Sequence, residues 1–138
     1  MNRQEELRSR RLEQLERLSP QEILHELERF RSYEWIDNHQ VERKAKHHAK
    51  AWRHFHTLGR QPTVAELREI SRRVTENPDR VFTCLDPKAA DNITWIFIGS
   101  NVVVACRADY IQTCFPVKDL GLYLAHLRSW IDSREVLP

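Results

Sequence analysis

Apolar positions along this chain fall into two textures. As far as Pro78 they recur every three or four residues, the period of a helix. Beyond it they gather in short runs rich in β-branched and aromatic residues, the habit of strands. Residues 1–18 predict a charged helix with a thin apolar seam of Leu7, Leu12, Leu15 and Leu18, too narrow for a core helix and suited to an arm or an oligomer contact. Ser19-Pro20-Gln21-Glu22 predicts a second helix start: Ser19 caps, Pro20 suits the first turn, and Glu22 stands where a capping box needs it. Ile23, Leu24, Leu27 and Phe30 then share one face.

Asp37 or Asn38 caps the next predicted helix, which runs to about His56 and stops near Gly59. Thr63 and Glu66 form a second capping box; Val64, Leu67, Ile70 and Val74 mark the buried face behind it, and Asn77-Pro78 ends the helix. Runs at 81–85, 93–98, 102–106 and 110–115 predict four strands. Gly99-Ser100 and residues 107–109 fit tight hairpin turns, and 86–92 reads as a loop. Alternation puts Ile93, Trp95 and Phe97 on one sheet face. A last helix begins near Lys118, with Leu120, Tyr123, Leu124, Leu127 and Ile131 along one side. The expectation is an α+β fold: N-terminal helices, a four-stranded antiparallel sheet and a C-terminal helix. Residues 1–36 form a helical arm and 37–138 the α+β domain, within one globular unit overall.

At 138 residues the chain suffices for one core without disulfides or a structural metal. No stretch approaches the ~20 apolar residues of a membrane span, and the charged N-terminus lacks the apolar segment of a secretory signal. Cys84, Cys106 and Cys114 make an odd count without a C-x-x-C pair, and each lies in an apolar run. Buried, reduced thiols follow, which fits a cytoplasmic setting, in a producing cell or a target cell.

The net charge of +2 conceals a local bias. Between His39 and Arg60 lie Arg43, Lys44, Lys46, Lys50, Arg53 and Arg60 against one acid, Glu42, and five of the seven histidines (His39, His47, His48, His54, His56) share the segment. A positive face on a near-neutral chain points to an anionic partner, with nucleic-acid phosphate foremost. The same run also fits a solvated helix face.

Lys44 and His48, four apart, share a helix face that Trp52 and Phe55 continue, while His47, Lys50 and His54 form a neighbouring stripe. A neutral imidazole can remove a proton from a ribose 2′-OH, and a nearby lysine can stabilise charge on the phosphate. Adjacent cations should depress the histidine pKa. Lys50, Trp52, Arg53, His54 and Arg60 are the expected nucleic-acid contacts, with Trp52 and Phe55 available for stacking.

The run Lys44-Ala45-Lys46-His47-His48-Ala49-Lys50-Ala51-Trp52 resembles the Lys/His helix of the colicin D-type RNase toxins. Asn101-Val102-Val103-Val104 and Thr113-Cys114-Phe115-Pro116 resemble the closing strands of the same group, within the wider superfamily of small RNases that includes barnase and the RelE-type toxins. The resemblance spans roughly residues 39–123. It implies helices before a four-stranded antiparallel sheet and a metal-independent endoribonuclease acting on RNA (tRNA or mRNA). It also implies an immunity or antitoxin protein as partner. Carried over, His48 is the acid/base residue, Lys44 and Lys46 hold phosphate, and Thr113 contacts the scissile group. Two departures stand out. His47 replaces the lysine usual before the catalytic histidine, and Trp52-Arg53 replaces the usual Phe-Gly, so His47 and His48 both stay open as the catalytic residue.

Other chemistries find less support. There is no H-E-x-x-H or C-x-x-C, so neither a metal nor a cofactor is expected. Gly99-Ser100 lacks the G-x-S-x-G frame, and three glycines are too few for a phosphate-cradling loop. The rival readings are non-catalytic. In one, residues 59–67 enter a helix-turn-helix, with Arg68, Arg72 and Arg73 toward DNA. In the other, the chain is a protein-interaction factor such as an inhibitor, using its leucine seam.

Overall fold

The computed structural model describes residues 34–55, 57–85, 93–107, 110–129 and 133–137, with isolated helical positions before them (Arg3, Glu6, Arg10, Glu13, Glu22 and His25). The leucine seam, the Ser19 cap, the 86–92 loop, His56 and Ile131 lie outside the described residues.

The elements run α1 (Asn38–His47), α2 (Ala49–Arg53), α3 (Val64–Glu76), β1 (Arg80–Leu85), β2 (Ile93–Gly99), β3 (Val102–Arg107), β4 (Tyr110–Pro116), α4 (Leu120–Arg128) and β5 (Arg134–Leu137). Helices thus precede an antiparallel meander and another follows it, the predicted α+β order. The sheet has one strand more than predicted: its order is β4-β3-β2-β1-β5, and β5 returns antiparallel to β1. Four residues after the last helix were too few to show a period. What secures them is tertiary, since Glu135 receives both arms of the Arg80 guanidinium at 2.6 and 2.8 Å.

Both faces of the sheet are covered. On one, Trp95, Phe97, Val104, Cys106 and Cys114 pack with Trp35, Val41, Ala45, Trp52 and Leu67 from the N-terminal helical layer. On the other, Phe82, Cys84, Ile96, Ile98 and Val103 pack with Leu124 and Leu127 of α4. Trp95 and Phe97 share a face as alternation requires, and the Ile93 side chain lies outside the described residues. This two-sided burial explains why β2 and β3 read as nearly continuous apolar runs.

The caps follow the sequence. Asp37 caps α1 by accepting the Gln40 N–H, and Thr63 and Glu66 form the reciprocal capping box of α3. The β2–β3 hairpin turns on Ser100 and Asn101, one residue later than expected; both have positive φ (51° and 62°), the pattern of a two-residue primed turn. Gly99 pairs with Val102 and so belongs to the strand.

Residues just before α1 also touch the core. Trp35 is buried in the core and donates its indole N–H to Ser71 Oγ at 3.0 Å, while the Glu34 carbonyl accepts the Ile111 N–H at 3.1 Å. Glu34 and Trp35, at the end of the predicted arm, thus contact the α+β core.

Candidate active site

The basic helix is interrupted at its most interesting residue. The predicted continuous helix divides into α1 and α2 at His48, whose φ of −103° and ψ of 17° lie in the bridge region where active-site residues are often found. The hydrogen bonds on either side survive: His48 N–H reaches Lys44 O and Trp52 N–H reaches His48 O, each at 3.1 Å. The interruption coincides with the residue whose ring is anchored on β4.

Val41, Ala45, Ala49 and Trp52 are buried and recur at helical spacing, so they fix which side of α1–α2 faces the protein. Arg43, Lys46, His47, Lys50, Arg53 and His54 are consequently exposed, and Lys44 and His48 are half-buried at the margin. From there His48 reaches edge strand β4. Its Nε2 stands 3.2 Å from Thr113 Oγ1, across 65 residues of chain. Its ring lies 4.9 Å from the Phe115 ring and 4.7 Å from the His47 ring. Phe115 in turn meets Tyr123 edge-on at 5.9 Å.

This setting lowers the His48 pKa to about 4. Burial is the chief cause, followed by the positive ends of His47 and Lys44. The direction matches the expectation from neighbouring cations, but the larger contribution is desolvation, which the sequence did not show. At neutral pH the imidazole is uncharged, with one ring nitrogen protonated and the other an acceptor, and the tautomer decides whether Nε2 donates to or accepts from Thr113.

Beside it opens a cleft of about 590 Å³ between α2 and the end of β4. His47, His48, Lys50 and His54 line one wall; Pro116, Val117 and Lys118 line the other, with Ala51 and Phe55 completing the lining. Among these residues every ionisable side chain is basic, and no carboxylate offsets them. The stripe His47, Lys50, His54 thus lines a single cleft.

Several candidates fall elsewhere. Trp52 is fully buried in the core with its indole N–H enclosed, so it does not stack on a nucleic-acid base; that assignment is corrected. Arg60 is bound at both guanidinium ends to Glu66 (2.6 Å at the shared Oε1), which spends its charge at the start of α3. Arg53 turns back to the Ala49 carbonyl at 3.4 Å, and neither it nor Lys46 lines the cleft. Lys44 lies close enough for its charge to act on His48 but does not line the cleft itself.

Lys118, Phe115 and Gln40 escaped the sequence reading. Lys118 is an isolated cation before the last helix, and only the fold brings it opposite Lys50 and His54. Phe115 stood only as part of the Thr113-Cys114-Phe115-Pro116 run, two residues past Thr113 and so on its side of the strand.

A larger cleft of about 800 Å³ lies between α3 and the β2–β3 turn, lined by Phe55, Leu58, Ile70 and Val74 among others. Its charged lining is paired, Arg73 with Glu69 and Glu66 with Arg60 outside the cleft. It offers no set of groups for acid/base work.

Among the described residues, no three His, Cys, Asp or Glu side chains converge as a metal-ligand set. None of the described helices is long and apolar enough to cross a membrane. After α3 comes a strand and not a second helix, so the frame for a helix-turn-helix is lacking. Comparison with protein-family models, with curated proteins and with solved structures found no match.

Proposed function

We propose that the protein is a metal-independent endoribonuclease of the bacterial toxin type. The observation that carries this reading is the neutral His48 imidazole, held against Thr113 at the side of a cleft whose ionisable lining is entirely basic. The resemblance to the colicin D-type toxins implied His48 and Thr113 as partners in one site, and they lie at hydrogen-bond distance.

The chemistry follows from the groups present. His48 takes the proton of a ribose 2′-OH, and the oxygen attacks the adjacent phosphorus. The P–O5′ bond breaks, leaving a 2′,3′-cyclic phosphate. The departing 5′-oxygen takes a proton from a general acid, a role for which His47 is placed, its ring 4.7 Å from that of His48. Lys44 and the cations of the cleft offset charge that grows on the phosphate in the transition state. Thr113 fixes the orientation of the His48 ring and offers hydrogen bonding to the scissile group. The nucleophile belongs to the substrate, so the scheme calls for neither a metal ion nor a protein nucleophile. The partners of this reading are RNA and a protein inhibitor that covers the basic cleft; its setting is a cytoplasm, where thiols stay reduced.

The test is incubation of purified protein with total RNA in EDTA. Discrete fragments ending in 2′,3′-cyclic phosphate are expected, with DNA spared for want of a 2′-OH. His48→Ala should lower the rate roughly 10²- to 10⁴-fold, the usual worth of a positioned base. RNA that stays intact but is bound salt-sensitively would replace the enzyme reading with that of a binding module.

A further inference from the structure

Thr113 faces His48 because β4 breaks its own alternation. In a regular strand, residues two apart share a face, so Ile111, Thr113 and Phe115 would point the same way. Here Ala105 pairs with Thr113 but Cys106 pairs with Ile111, leaving Gln112 as an extra residue. This β-bulge lets Ile111 and Cys114 both enter the core shared with the N-terminal helices, while Thr113 and Phe115 turn to the His48 side. A bulge leaves backbone carbonyls without ladder partners, and something must satisfy them.

Gln40 does so. It is a buried polar side chain in the first turn of α1. Its Nε2 donates to the Ile111 carbonyl at 3.1 Å and to the Gln112 carbonyl at 3.4 Å, the two residues that form the bulge. Its Oε1 accepts the Ile36 N–H at 2.8 Å, and its own N–H is held by Asp37 Oδ1 at 2.7 Å. The amide therefore cannot rotate without losing bonds at both ends. The same helix that carries Lys44 and leads to His48 thus grips the bulge that presents Thr113.

We propose that Gln40 is a positioning residue for the site: its side-chain amide holds the bulge at Gln112, and the bulge delivers Thr113 to the His48 ring. The geometric part stands by itself, and its catalytic consequence rests on the ribonuclease reading.

Two measurements on the full chain test it. The first is nuclear magnetic resonance, following the nuclear Overhauser contact between the His48 Hε1 and the Thr113 methyl. The contact should be present in the wild type and lost in folded Gln40→Leu. The second is a double-mutant cycle on kcat for RNA. Thr113→Val and Gln40→Leu should each lower kcat about two- to tenfold, the range of one hydrogen bond, and the double variant no further than either alone. A Gln40 acting only on stability would give additive losses. If Gln40→Leu does not fold, Gln40→Asn takes its place, since it keeps the amide but withdraws it by one methylene. Retention of the His48–Thr113 contact in whichever variant folds, or additive kcat effects, overturns the proposal. Wild-type protein that leaves RNA intact would defeat the ribonuclease reading, and the resonance experiment would still decide the role of Gln40.

Discussion

The His48 imidazole lies against the Phe115 ring, with centroids 4.9 Å apart and planes inclined by 30°. An aromatic face on one side and a hydroxyl at Nε2 suit the uncharged ring, and burial holds its pKa down to about 4 from an ordinary 6.5. The unfolded chain takes up this proton as pH falls below about 6.5, whereas the fold resists it until about 4. Over that window the unfolded state binds more protons, so His48 makes stability fall as pH falls. The difference in denaturant midpoint between wild type and His48→Gln should change across pH 6.5 to 4 and level off above it. A difference independent of pH would show that the ring titrates normally.

The same depression sets the acid limb of activity. Since kcat/KM reports the free enzyme, its decline should come toward pH 4 and not at 6.5. The measurement is initial rate on a short RNA at substrate concentrations far below KM. A limb at 6.5 would transfer the base role away from His48.

Charge in the cleft should read out through salt. Each cation that contacts phosphate on a single strand contributes about 0.7 to the slope of log K against log salt concentration. Lys50→Ala and Lys118→Ala should each reduce that slope by about this amount, because both line the cleft. Arg60→Ala should leave it unchanged, because Glu66 already holds that guanidinium. Binding to a 2′-deoxy or 2′-O-methyl oligonucleotide measures this without cleavage.

Trp52→Ala should act on stability. Truncating a large buried aromatic typically costs about 3–5 kcal/mol, whereas exposed Lys50→Ala should stay within about 0.5 kcal/mol. Urea unfolding of the two variants distinguishes a core tryptophan from a surface stacking platform.

The contrast between Trp52 and His48 shows what could be read in the chain and what could not. Both sit amid cations, and an aromatic ring in that company suggests stacking. Yet Val41, Ala45, Ala49 and Trp52 already lie at the spacing of one helix face, so the burial of Trp52 was legible once that row was preferred to the Lys44–His48 row. Strands β1 to β4 were legible because they are apolar runs rich in β-branched and aromatic residues; the Thr63–Glu66 box was legible because capping is local. The bulge at Gln112 was not, since a bulge is a relation between two strands and leaves no mark in one. Strand β5 was hidden for a similar reason: Arg134–Leu137 gains its identity from Arg80 and β1, far away in sequence. Of the groups gathered at this cleft, His48, His47, Lys50 and His54 were singled out by helical spacing and Thr113, which meets His48, by resemblance. Gln40 and Lys118 acquire meaning only from what the fold sets opposite them.

The three cysteines divide between the two faces of the sheet, and the division makes the molecule report on its own opening. Cys84 is sealed beneath α4, while Cys106 and Cys114 are sealed beneath the N-terminal helices. Burial pushes the Cys84 thiol up to about 11 and lifts the other two further, so none is a competent nucleophile in the closed state. Alkylation must therefore wait for one layer or the other to detach, and its rate at each sulfur measures that event separately. If α4 peels away more readily than the helical layer, mass spectrometry will find the label on Cys84 first. Equal labelling of all three would mean that the protein opens as a single cooperative unit.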